Sequence, residues 1–114
     1  MKRVFRLVFQ FIFLFGMLGE ANSATYEWNV VTKVTHVQPT HMPTQVSFKL
    51  ESPVSATCGA NVWMEWGVRG NTDAEKIANA NAVYSTLMAA LVSGKDVRVF
   101  GNDLNCEVTF IHMF

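Results

Sequence analysis

Four residues within a short span have side chains suited to holding a ligand: Trp63, Glu65, Arg69 and Asn71. An indole on the outward side of a strand offers a flat apolar face to the C–H side of a sugar ring. A carboxylate, a guanidinium and an amide beside it can exchange hydrogen bonds with the ring hydroxyls. The competing reading packs Trp63 under a loop and leaves Arg69 solvated or paired with Glu65. Both readings stand on the sequence alone.

Reactive chemistry has less support. The chain carries no nucleophile elbow, no HExxH helix and no phosphate loop. Gly67 and Gly70 precede a helix with an acidic start, which repels phosphate. His36, His41 and His112 are scattered along the chain, and a metal would need them to converge with a carboxylate. They read as surface or partly buried histidines, and Asp73 and Glu75 as helix-capping residues. The expectation is a protein that is not an enzyme and uses neither metal nor cofactor.

The elements that would position these residues lie behind an export signal. Lys2, Arg3 and Arg6 precede an apolar run from Leu7 to Leu18, and Ala21-Asn22-Ser23 supply a small, polar cleavage region. This three-part organisation is that of a secretory signal peptide over 1–23, and the run is too short to span a bilayer. Three of nine basic and one of nine acidic residues leave with it, so six face eight and the formal charge of 24–114 is −2. A basic nucleic-acid footprint is therefore absent. The expected address is secreted or periplasmic, with no membrane insertion after cleavage. In an oxidising compartment Cys58 and Cys106 are expected to form a disulfide. Closing so long a loop contributes on the order of 4 kcal/mol.

Residues 26–38 alternate, with Trp28, Val30, Thr32, Val34 and His36 on one face, and predict a long strand. Pro39 to Pro43 break it. Val46, Phe48 and Leu50 alternate with polar residues in a second strand, and Cys58 to Gly67 reads as a third. Thr72-Asp73-Ala74-Glu75 matches a capping box. The helix that follows places Ile77, Ala80, Tyr84, Leu87 and Leu91 in one core-facing stripe. It ends at Gly94, with Lys95 complementing the dipole. Strands over 96–100 and 106–113 complete the chain. In the last of these Cys106, Val108, Phe110 and Phe114 share a face, as in an outer-membrane strand, but about five strands cannot make a barrel that needs at least eight.

Three strands, one helix and two strands match the element order of a five-stranded OB-like Greek-key barrel, mainly β, with one helix between strands 3 and 4. A plain α+β sandwich of one helix on an antiparallel sheet uses the same elements. The single domain expected is 24–114, stapled by its disulfide.

The helix has no charged residue from Ile77 to Gly94, and the side away from the stripe is Ala78, Asn81, Ala82, Ser85, Ala89 and Val92. A solvated face normally carries Lys and Glu. A small, uncharged one admits a neighbouring helix, so it is a self-association surface, a weakly decorated exposed face, or a face buried within the monomer. The run Asn81 to Leu91, then Ser93-Gly94-Lys95-Asp96-Val97-Arg98-Val99 and Cys106, resembles the C-terminal half of the B subunits of subtilase-cytotoxin-like and pertussis-like AB5 toxins. It is equally similar to small exported bacterial proteins of unassigned function that share the Tyr-containing helix, the Gly-Lys-x-Val strand and a late cysteine. The resemblance covers about half of 24–114. It implies an OB-fold subunit in a ring of five, with helices lining the centre and glycans bound on the outer barrel. The Ser-containing stretch of the glycan pocket in those subunits has no counterpart in Tyr26 to Gln38, so no residue role is carried over. The leading expectation is an exported glycan-binding module. The alternative is a periplasmic or secreted structural or inhibitor protein that binds a protein partner.

Overall fold

The computed structural model describes residues 26–114, and the expected signal peptide lies outside the described residues. The described chain is mainly β: β1 (Trp28–Gln38), β2 (Gln45–Leu50), β3 (Trp63–Gly67), α1 (Asp73–Ser93), β4 (Asp96–Asn102) and β5 (Glu107–Met113). The helix falls between the third and fourth strands, as expected. No helix among the described residues is long and apolar enough to cross a membrane.

Strand pairing runs β1-β2-β3-β5-β4 and returns from β4 to β1. All pairs are antiparallel except β3 with β5, which meet in parallel at Glu65 and Glu107. Alternation puts Val46, Phe48 and Leu50 of β2, Met64 and Trp66 of β3, and Val97 and Val99 of β4 inside. Thr32 is buried among them without penalty, because its hydroxyl accepts from the Ser52 N–H at 3.0 Å.

Two bulges change which way side chains point. In β1, Val34 pairs with Leu50 but His36 pairs with Lys49, so Thr35 is an extra residue. The parity flips there. His36, expected on the face of Trp28 and Val34, is exposed, and Val37 packs against the core instead. In β5, Gly101 pairs with Val108 but Phe100 pairs with Phe110, leaving Thr109 as the extra residue. Val108 is buried whereas Phe110 is 41 % exposed, so the single face expected for these two residues is split.

The third strand begins at Trp63, not Cys58. Cys58 is held in a turn whose N–H donates to the Ser55 hydroxyl and whose carbonyl accepts from Val54, and Asn61 has φ 59°. A ladder cannot pass through that geometry. The Cys58–Cys106 disulfide therefore joins the β2–β3 connection to the 3-10 turn Leu104–Cys106 ahead of β5.

Helix α1 starts as its sequence predicts: the Thr72 hydroxyl accepts the Glu75 N–H at 3.2 Å. The reciprocal bond lands one residue upstream of the cap, on the Asn71 N–H at 2.7 Å. Ala80, Leu87 and Ala90 are buried, with Val83, Tyr84 and Leu91 packed beside them. Ile77, expected in this stripe, is 47 % exposed, because the first turn projects beyond the core. At the other end Gly94 adopts φ 68° and its carbonyl accepts from Lys33 Nζ at 2.7 Å. Lys33 from β1 thus supplies the cation there, and Lys95 is exposed.

Candidate functional site

The four residues singled out in the sequence fall into two places. Trp63 and Glu65 share the outer face of β3, since Met64 and Trp66 between and beyond them point inward. Trp63 is 45 % exposed. Its register neighbour Lys49 holds its ammonium 4.6 Å from the indole centroid. The His36 ring, turned outward by the β1 bulge, stands edge-on with centroids 6.5 Å apart. A row His36–Lys49–Trp63 therefore crosses β1, β2 and β3. The next row is Gln38, Ser47 and Glu65. Lys49 is held over the ring by the quadrupole of the π face, and the exposed remainder of the indole is an apolar ledge amid amide, ammonium and carboxylate groups, while the Ser47 hydroxyl is buried and accepts from Gln45.

Arg69 and Asn71 belong elsewhere. The Arg69 guanidinium lies 4.3 Å from the Trp66 centroid and 5.8 Å from that of Phe110, and donates to the Thr109 carbonyl. Arg69 therefore braces β3 against β5. The backbone N–H of Asn71 donates to Glu75, which holds this residue at the helix start and leaves its side chain exposed. The backbone of this loop is anchored by Asn79, whose Oδ1 accepts both the Trp66 indole N–H and the Arg69 N–H at 3.0 Å.

The helix residues Ala78, Asn81, Ala82, Ser85, Ala89 and Val92 are all exposed, which removes the alternative that they are buried in the monomer. Exposed Ile77 lines a cleft of about 540 Å³ with Pro43, Thr44, Val68, Asp73 and Lys76. A second aromatic group, not foreseen in the sequence, covers the outer side of β4 and β5. Phe100 meets Tyr26 at 4.9 Å, His112 at 5.0 Å and Phe110 at 6.0 Å between centroids, all edge-on. Arg98 lies 5.9 Å from the Phe114 ring and donates to Asn29. The bulge at Thr109, which plain alternation does not reveal, is what turns Phe110 into this group.

Among the described residues no group of three or more His, Cys, Asp or Glu side chains could hold a metal ion. His36 and His112 lie on different strands, His36 against Trp63 and His112 against Phe100. Compared with family models, with curated proteins and with solved structures, the chain has no match.

Proposed function

We propose that the chain is an exported, non-enzymatic binding module of OB-like Greek-key form whose ligand is a glycan seated on Trp63. One observation carries this reading: a tryptophan left 45 % exposed on β3, in register with Lys49 of β2 and His36 of β1. OB-folds bind oligosaccharides and oligonucleotides across their second and third strands, and the formal charge of −2 for 24–114 disfavours the nucleic acid. Stacking on the indole supplies affinity, while Lys49, His36, Gln38 and Glu65 offer donors and acceptors for hydroxyl groups. The disulfide agrees with an oxidising compartment.

A glycan array probed with the oxidised protein, followed by calorimetry on the best sugar, tests the proposal. Binding should occur and should fall at least about tenfold in Trp63→Ala, the loss of one aromatic anchor. No sugar bound, or binding indifferent to Trp63, would overturn it. The toxin-like version adds a ring of five copies meeting through the helix face of Ala78, Asn81, Ala82, Ser85 and Ala89. Light scattering that returns any other mass removes that version and leaves the glycan reading intact.

A further inference from the structure

One side of β5 is covered by β4 and the other is open. β3 reaches β5 at Glu65 and Glu107 and stops at Gly67, and Arg69 then occupies the Thr109 carbonyl. Beyond Thr109 no described strand pairs with this side. Which backbone groups face it follows from β4. The Gly101 carbonyl accepts from Glu27 N–H and so faces away from β5. Backbone groups alternate sides along a strand, so those of Phe100 and Arg98 face β5 and pair with Phe110 and His112. Ile111 and Met113 therefore turn their N–H and C=O groups away from β4, into the open.

A groove of about 120 Å³ runs beside this edge, lined by Trp66, Ala82, Val83, Thr86 and Ile111. Its helix wall adjoins the uncharged side of α1. Open edges are ordinarily guarded by Lys, Pro or a bulge. From Phe110 to Phe114 the sequence has none of these, and Phe110, Met113 and Phe114 are 41 %, 39 % and 65 % exposed.

We propose that this edge pairs with the same edge of a second copy, antiparallel about a two-fold axis at His112. Ile111 of each copy then exchanges backbone hydrogen bonds with Met113 of the other. Phe110 meets Phe114 across the pair, and His112 meets its counterpart. The second copy is the occupant for three reasons. β2 and β4 are paired on both sides, β1 pairs with β4 over 28–33 and with β2 over 34–38, and β5 offers another copy an edge open at Ile111 and Met113. The register leaves the Thr109 carbonyl to Arg69 and sets no Asp, Glu, Lys or Arg against its like. The helix residues beside the edge, Ala82, Val83 and Thr86, let the copies approach without desolvating a charge. The contact is isologous and closes on two copies, the commonest symmetry of homo-oligomers. It goes beyond the glycan reading and does not rest on it.

Sedimentation equilibrium of the oxidised protein should give the mass of two copies. Met113→Lys should weaken association at least about tenfold, since the symmetry removes two cross-strand pairs at once, with an unchanged far-UV circular dichroism spectrum. Opposed residues of a non-hydrogen-bonded antiparallel pair stand about 4.5 Å apart at Cα, within disulfide range. His112→Cys, at an exposed position, should therefore oxidise to a covalent dimer bridged at 112. A single-copy mass at every concentration, a five-copy mass, or failure of His112→Cys to cross-link would each overturn the proposal. If Met113→Lys fails to fold, the cross-link decides.

Discussion

The Trp66 indole on β3 donates to Asn79 Oδ1 on α1 at 3.0 Å, and this bond ties the helix to the strand that carries Trp63. Trp66 is 6 % exposed, and Asn79 is the acceptor of its indole N–H. The same oxygen accepts the Arg69 N–H and fixes the loop that places the guanidinium over Trp66. Asn79→Ala leaves a buried donor unpaired, which costs about 1–3 kcal/mol. For a domain of this size each kcal/mol lowers the melting temperature by about 4–8 °C. Calorimetry checks this, and a shift below about 2 °C would show that the bond contributes little.

Much of the architecture was legible because the signals were local. Thr72 with Glu75 and Gly94 marked both ends of α1, and the period-2 runs marked β1, β2, β4 and β5. What was not legible came from cross-strand register. Nothing local marks Thr35 and Thr109 as the extra residues of two bulges, yet they decide that His36 faces Trp63 and that Phe110 faces solvent. Cys58 to Val62 alternates like a strand, but the turn closed on Ser55 and the disulfide override that pattern. For the site, Trp63 and Glu65 could be placed together because they lie two apart on one strand. Arg69 and Asn71 could not, since a loop of few residues can turn either way.

Gly101 is a position where a methyl group has no space. A Cβ there would fall within contact distance of the Trp28 ring and the Glu107 carbonyl. Trp28 is itself buried and packs where β1 and β4 close the sheet. Gly101→Ala must push the indole out or part β4 from β5, at a cost of about 1–3 kcal/mol for overpacking. Urea denaturation should show a lower midpoint with an unchanged slope. A midpoint equal to the parent's would mean that Trp28 has room to shift.

The disulfide fastens two connections that lie outside the strands. Its 5.7 Å Cα separation joins the loop before β3 to the turn before β5, beside a hydrogen bond from the Ser55 hydroxyl to Asp103. Replacing both Cys58 and Cys106 with Ala should lower stability by about 2–4 kcal/mol. Hydrogen exchange should accelerate first in 53–60 and 103–106, because these segments lie outside every strand and are joined by the cross-link. Uniform acceleration across α1 and β4 as well would show that the bridge supports the whole domain equally.

Glu75 couples the helix start to the loop that carries Arg69. Its Oε2 accepts the Asn71 N–H at 2.7 Å, while its own N–H is taken by the Thr72 hydroxyl. Gly70 next to Asn71 has φ 146°, and a Cβ there would collide with Glu75 and the Lys76 N–H. The loop is thus shaped around this carboxylate. Glu75→Ala removes the acceptor and leaves the Thr72 cap, so the expected loss of stability is small, about 0.5–1 kcal/mol. The local effect should be larger: the Asn71 amide should exchange faster while those of Val97 and Val99, fully buried in β4, keep their protection. Equal changes at the three amides would mean that the loop opens only when the whole domain unfolds.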